Sequence, residues 1–506
     1  MYTSMLRRAL LSSGVSGPKV YGSTVPAQMI LDAANGTDSL DVIVIGDSNA
    51  TFPGRAGYNN AWHRVFNTTL RVPIYATPLF AGGLTNTGAP TAAIEMARDV
   101  AGLGVSMNCT AAGVAGTTGT AKMMATSLAD SNILALKNYL GNSVTGWDNP
   151  DKTINKLMMP HGYAANPVVV ESTGGVFLGT YKQTCVSVST FADSDTSSRT
   201  SWGSELVFGT DGAGAGVSLA YRIVYGTFAS GSGQFKPRAV WENSGGLASQ
   251  DSVFTSTNTG TVGYATKSWT IPALAFATGT GQKILHCGWD GFATGAASTT
   301  GPFASLWNSV VKVGQKGYSV SVLNAFGGLN SDLIVSKITN AGKLVDAYLK
   351  EIRERQIACG GTGRALVFLN VGSNTVEDAT TWTTNAEALV TLLSSKWIAL
   401  GGAAENISYI LTVSHPNTTG AWATNRPAIS SAANAWAIIN GVSNNLCVID
   451  INTLYTATQM SKYNMYDTAG QSHLNYNYPT SGTTITTMED SYFAIVQGMV
   501  SAMISL

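Results

Sequence analysis

Five short apolar runs, at residues 42–45, 319–324, 365–371, 407–413 and 446–450, limit what this chain can fold into more than any other feature. Each is too short for a core helix and too continuously apolar for a strand with one wet face. Each therefore reads as a strand buried on both sides, the mark of a parallel sheet. Helical patterns follow them. After the second run Ile338, Ala341, Val345, Tyr348, Leu349 and Ile352 recur at helical spacing, with Lys350, Glu351, Arg353 and Glu354 on the polar face. Further helices are predicted over 386–400, ending at Gly401-Gly402, and over 428–440 and 492–504. Strands that alternate with helices give an α/β fold: an open parallel sheet of five strands with helices on both faces.

The first run stands apart from the rest. About 240 residues separate the helix expected near 60–70 from the second run, far beyond a single crossover, so a domain is inserted there. At 506 residues the chain is too long for one core in any case. The division read from this pattern is an N-terminal extension, 1–40; a discontinuous α/β domain, 41–75 and 316–506; a partly helical insert, 76–160, rich in Ala, Gly and Met; and a β-rich insert, 161–315. Within the last, runs at 168–170, 185–189, 205–208 and 218–225 are separated by Gly, Ser, Asp and Asn, which reads as an antiparallel β-sandwich. Trp202, Trp241, Trp269 and Trp289 all fall in it. An exposed indole face can stack on a sugar ring, but the ordinary place for a single Trp is the sandwich core. The insert could equally form an oligomer interface or an attachment surface in a larger assembly.

The strand ends carry the chemistry. The first run leads into Gly46-Asp47-Ser48-Asn49, a glycine turn that presents a serine, and a strand end facing a helix N-terminus exposes such an oxygen beside backbone N–H groups. Taken alone, Ser48 would read as a helix cap. Three more blocks follow in order: Gly327-Gly328-Leu329-Asn330 after the second run, Gly372-Ser373-Asn374 after the third, and Asp467 to His473 in a loop before the last helix.

This ordered set resembles the SGNH (GDSL-type) serine hydrolases, over roughly the first seventy residues and the final two hundred. The resemblance implies a flavodoxin-like SGNH-hydrolase sheet. It also implies Ser48 as nucleophile, His473 as general base, and an oxyanion hole formed by the N–H of Ser48, the N–H of Gly328 and the side-chain amide of Asn374. A glycine admits close backbone approach, and a carboxamide donates without adding charge. Two positions depart from the family pattern. The family places its Asp three residues before the His, where this chain has Gly470; the nearest carboxylate is Asp467, and the alternatives are a triad through Asp467 or a Ser–His dyad oriented by a backbone carbonyl. After Asn374 the chain has Thr375, where the family commonly has Asp. Of the other histidines, His63, His161, His286 and His415, the last is the rival to His473, and Asp450 at the end of the fifth run is a distant candidate carboxylate.

Composition narrows the partners. Formal net charge is zero and only 11% of residues are charged, which gives no basic footprint for nucleic acid and no acidic tail. The five cysteines include no Cys-x-x-Cys pair and read as free buried thiols, and no metal or organic cofactor is expected. Arg7-Arg8 precedes Ala9-Leu10-Leu11, but Ser12-Ser13-Gly14 ends that apolar run too soon for a signal peptide, and no run spans a bilayer. The expectation is an esterase acting on short-chain, chiefly acetyl, esters of a neutral glycan or polysaccharide, outside a cell or on a phage particle, with a possible homo-oligomer. The alternative from a different class is a structural or adhesive phage tail or virion appendage that keeps the fold for glycan binding.

Overall fold

The apolar runs pair side by side. A computed structural model of the chain describes residues 18–47, 49–50, 57–76, 79, 105–112, 199–208, 218–227, 234–243, 246–251, 254–255, 261–271, 283–292, 304–325, 330–340, 342–371, 377–413, 415–416, 420–463, 465–466, 474 and 491–505. The first strands are β1 (Lys19–Gly22) and β2 (Leu40–Gly46). Strands β3 (Val105–Ala112), β4 (Arg199–Phe208), β5 (Leu219–Thr227), β6 (Gln234–Asn243), β7 (Gly246–Asp251), β8 (Phe254–Thr255), β9 (Gly263–Ile271), β10 (Lys283–Phe292) and β11 (Ala304–Lys312) belong to the insert. The chain then returns through β12 (Tyr318–Ala325), β13 (Ala365–Val371), β14 (Ile407–Val413) and β15 (Leu446–Asp450).

The central sheet has the order β1-β15-β14-β13-β2-β12. All its pairings are parallel except that of β1 with β15. The five expected strands are present, and an antiparallel edge strand, β1, joins them from the segment read as an extension. Four residues with only Val20 and Tyr21 apolar are too short to show a period.

Helices cover both faces. Val42, Val44, Val320, Val322, Leu366 and Phe368 pack with α1 (Val25–Ala34), α2 (Tyr58–Arg64), α7 (Ala457–Lys462) and α8 (Ser491–Ile504). Ile43, Ile45, Val367, Leu369, Tyr409 and Leu411 pack on the other side with α3 (Ser331–Asn340), α4 (Gly342–Ala358), α5 (Ala379–Ala399) and α6 (Gly420–Asn440). Truncating one of these fully buried side chains to Ala costs about 2–5 kcal/mol.

Two helices differ from their sequence expectation. The single helix expected across 338–352 is broken into α3 and α4, and Gly342 at the break has φ +47°, a left-handed value that glycine adopts without a Cβ penalty. Helix α6 starts well before the expected residue 428, with Pro427 inside it. Proline costs a helix interior about 3 kcal/mol, and the buried face of Ile429, Ala433, Trp436 and Ala437 offsets that cost.

The insert leaves and rejoins the central sheet at one place, for Ile74 bridges to Tyr318 and Ala76 to Val311. Its described strands form antiparallel sheets, one ordered β3-β4-β10-β6-β7 with β8 on β6, the other β11-β5-β9. Expected strands at 205–208 and 218–225 fall in β4 and β5, while those at 168–170 and 185–189 lie outside the described residues. Of the segment 76–160 read as partly helical, the described stretch beyond residue 79 is strand β3. Register puts Trp202 opposite Trp289 and Trp241 opposite Leu285, so the three tryptophans fall at positions of one sheet face together with Leu206. Trp269 is half-buried and meets Tyr221 edge-on at 4.6 Å between ring centroids. The three-stranded sheet is tied to α4 by Arg222, whose Nε donates to Glu351 Oε1 at 2.7 Å and whose Nη2 donates to Glu351 Oε2 at 2.8 Å and Glu354 Oε2 at 2.7 Å.

At the N-terminal ends of the strands lies a second buried ion pair. Asp41 and Arg355 are both wholly buried. Arg355 donates to both Asp41 oxygens, to Ser319 Oγ at 3.1 Å and to Ser321 Oγ at 2.8 Å. The Tyr75 hydroxyl donates to the same carboxylate.

Candidate active site

An open parallel sheet offers its ligand crevice beyond the C-terminal strand ends. At the end of β2 a Cβ on Gly46 would lie 2.5 Å from the Asn370 carbonyl oxygen and 2.9 Å from Ala50 Cβ, so only glycine lets the chain turn so close to β13. Asp47 follows, wholly buried, and its Oδ1 accepts the Asn49 N–H at 2.9 Å and the Asn49 side-chain amide at 3.2 Å. The Ala50 N–H donates to the Asp47 carbonyl at 3.0 Å, and the Tyr58 N–H donates to the Asn49 carbonyl at 2.9 Å. The strand end is thus stitched directly to the start of α2. Burial and the Asp47 charge push the Tyr58 hydroxyl well above the ordinary tyrosine range.

A contact between distant parts of the chain converges here. The Tyr492 hydroxyl, from the first turn of α8, donates to Asn49 Oδ1 at 2.7 Å and accepts the Leu474 N–H at 3.4 Å. Leu474 in turn forms an isolated antiparallel bridge with Tyr466, whose hydroxyl donates to the Pro416 carbonyl at 2.5 Å. At the ends of β13 and β14, the Asn370 amide donates to Thr412 Oγ1 at 2.7 Å.

The five residues assigned by the family resemblance, Ser48, Gly328, Asn374, Asp467 and His473, lie outside the described residues. Their chain neighbours are described. Ser48 stands between Asp47 and Asn49; Gly328 between Ala325, the end of β12, and Asn330; Asn374 between Val371, the end of β13, and Glu377; Asp467 and His473 between the bridge partners Tyr466 and Leu474. His415 is buried just beyond β14, its ring 6.0 Å from that of Tyr466. Asp450 accepts the Asn452 N–H at 3.0 Å as the cap of a short 3-10 turn. Arg426 of α6 is buried nearby, and burial pulls its pKa down to about 10 against the opposing charge of Asp450.

A carboxylate links two of the strand-end segments. Glu377 Oε1 accepts the Ser331 N–H at 2.8 Å and the Asp332 N–H at 3.4 Å, and Oε2 accepts the Ser331 hydroxyl. Burial raises the Glu377 carboxyl above its ordinary range, against those hydrogen bonds. Asn49 belongs to the Gly46–Asn49 block, whereas Tyr492 and Glu377 carry no motif of their own and nothing in the sequence singles them out. Among the described residues no three of His, Cys, Asp or Glu gather as a metal site would require, and no helix is long and apolar enough to cross a membrane.

No protein-family model and no curated protein matches the chain. Among solved structures it is similar to a family two carbohydrate esterase from Clostridium thermocellum in complex with cellohexaose, at 10% identity and a TM-score of 0.22, over 59% of this chain and 89% of that one. It is similar to a family two carbohydrate esterase from Cellvibrio japonicus at 11% identity and a TM-score of 0.19, over 52% and 88%. A third likeness is to the enzymatically active domain of bacteriophage CBA120 tailspike protein 4, at 8% identity and a TM-score of 0.14, over 24% and 16%. At TM-scores this low the likenesses carry no weight for fold family or activity.

Proposed function

We propose that the protein is a serine esterase of SGNH type that removes short acyl groups, acetyl first among them, from a glycan or polysaccharide. In this reading Ser48 Oγ attacks the ester carbonyl while His473 takes its proton. The N–H groups of Ser48 and Gly328 and the Asn374 amide hold the oxyanion, and His473 then gives the proton to the departing sugar oxygen, which leaves as the hydroxyl. Water, deprotonated by His473, attacks the acyl-enzyme and releases the carboxylic acid with Ser48 restored. Asp467 orients the imidazole, or a backbone carbonyl does so in its place. The division into a hydrolase domain, 41–75 with 316–506, and inserts, 76–160 and 161–315, belongs to the same proposal, with β1 and α1 of the segment 1–40 added to the hydrolase domain because they pair and pack with its sheet. So does a place outside a cell or on a virion, where acylated polysaccharide is met.

The observation that carries the reading is the Tyr492 hydroxyl, which touches both Asn49 and Leu474. These are the chain neighbours of Ser48 and His473, and consecutive Cα atoms are only about 3.8 Å apart. Two blocks far apart in sequence are thereby tied at the C-terminal end of one parallel sheet, where such folds bind ligands. Turnover of chromogenic acetyl, butyryl and octanoyl esters by the wild type, Ser48→Ala and His473→Ala tests it. Each variant is expected to lose several orders of magnitude in kcat while staying folded, because the two residues act as a unit. Near-normal turnover in either would sink the assignment, and a preference for octanoyl would move the substrate class toward lipids.

A further inference from the structure

Segment 73–76, where the insert leaves the core, is hydrogen-bonded on both sides. On one side the Tyr318 N–H donates to the Pro73 carbonyl at 2.9 Å and the Tyr75 N–H to the Tyr318 carbonyl at 3.1 Å, which joins the segment to β12. On the other side the Lys312 N–H donates to the Tyr75 carbonyl at 2.8 Å and Ala76 bridges to Val311, which joins it to β11. Backbone pairing therefore runs from β9 through β5 and β11, across this segment, to β12 and the central sheet. We propose that the three-stranded sheet is an extension of the central sheet, clamped to α4 by Arg222, and that the rest of the insert is carried on this rigid mount instead of on a flexible tether.

Helix α4 shows that something besides the central sheet covers it. Glu351 falls on its sequence-predicted polar face, yet the side chain is only 1% exposed. The buried residues of α4, from Ala347 and Glu351 round to Leu349, spread over more than half of the helix circumference, wider than the stripe a helix turns to a single sheet. All three strands of the small sheet reach this helix. Every residue of β5 is buried, and alternation places Ala220, Arg222, Val224 and Gly226 in one row. Val224 of that row shares a buried cluster with Val345, Tyr348 and Ile352 of α4. Tyr264 of β9 lies in register with Gly226, its ring 5.9 Å from Lys350 Nζ, and the Ser309 hydroxyl of β11 donates to Glu351 Oε1 at 3.2 Å. Arg222 is the one charged residue of the β5 row, and it forks onto both oxygens of Glu351 while also reaching Glu354. Lifting the sheet off α4 would leave the Glu351 carboxylate buried without its cation and open an apolar contact, whereas domains that move freely meet through smaller, more polar surfaces. The wiring passes this constraint on. In the chain β5 lies between β4 and β6, β9 lies between β8 and β10, and β11 follows β10, so the five-stranded sheet is strung from the mount at several points.

The test is native-state hydrogen exchange of the full chain at rising urea, read by mass spectrometry on peptides covering 219–227 in β5 and 365–371 in β13. Both peptides are expected to lose protection over the same urea range. Opening of 219–227 while 365–371 stays protected would make the insert a tethered module and overturn the inference. Below the unfolding transition, Arg222→Ala is expected to speed exchange of 219–227 about 10-fold or more and that of 365–371 less than about twofold. Glu351→Ala should act in the same way, and the double variant should go no further than either, because each single change already removes the pair. An unchanged rate in 219–227, or equal acceleration of both peptides, denies the clamp and overturns the inference. Should Arg222→Ala fail to fold, Arg222→Lys keeps the charge and loses the fork. It should speed exchange of 219–227 about threefold or more, and no change there would overturn the inference equally.

Discussion

Strand β2 carries a buried carboxylate at each end, and the two are satisfied by different chemistry. Asp41, at the N-terminal end, meets a buried guanidinium, two serine hydroxyls stand on that guanidinium, and a tyrosine adds a further bond. Asp47, just past the C-terminal end, accepts from the backbone and the amide of Asn49 and so shapes the chain next to Ser48. One end joins elements by charge, linking β2, β12, α4 and the root of the insert. The other closes a turn with short-range bonds and then reaches through Tyr492 to the segment that precedes α8. Stability is concentrated at the first end and placement at the second.

The comparison breaks most readily at Asp41. Arg355→Ala leaves that carboxylate buried without its cation, and about 3–5 kcal/mol of stability should be lost in urea or thermal unfolding. Turnover per folded molecule should not change. Loss of kcat in a protein that remains folded would mean that the two ends are not separable. At the other end the balance reverses. Tyr492→Phe removes one hydroxyl shared by Asn49 and Leu474, so it should cost only about 1 kcal/mol of stability while lowering kcat about 10- to 100-fold through misplacement of the groups beside it. Equal losses in stability and kcat at both ends would erase the distinction.

The smallest effect is a slope with pH. The Glu377 carboxyl is raised above the ordinary glutamate value by burial. The folded state therefore holds that proton more tightly than the unfolded chain, and the group's contribution is fully present below the ordinary glutamate pKa and lost as pH rises through the raised one. The Tm of the wild type minus that of Glu377→Gln should accordingly decline as pH rises from acid toward neutral. A difference that grew over that window would give the shift the opposite sign.

The sheet was legible because parallel strands are buried on both faces and read as continuous apolar runs; 407–413 and 365–371 coincide with β14 and β13. Strand β1 was not, since its edge position asks for little burial and its four residues show no period. The break at Gly342 and the early start of α6 were also hidden, one because a single glycine sits in an otherwise helical pattern, the other because packing of Trp436 and its neighbours overrides Pro427. At the site, the resemblance supplied residue types and chain order only. The bond from Tyr492 to Asn49 spans 443 residues of sequence, and that from Glu377 to Ser331 spans 46. Neither leaves a local pattern, because a long-range hydrogen bond imposes no periodicity on the segments it joins.

The central claim is that Ser48 is an activated nucleophile at the end of β2. Incubation with a fluorophosphonate, which forms a covalent bond to such a serine with loss of fluoride, followed by peptide mass spectrometry, reads this directly. The account predicts one stoichiometric adduct on the peptide containing Ser48, abolished in His473→Ala and absent in Ser48→Ala. A folded wild-type protein that stays unmodified at Ser48, or that is labelled at another serine, would contradict it.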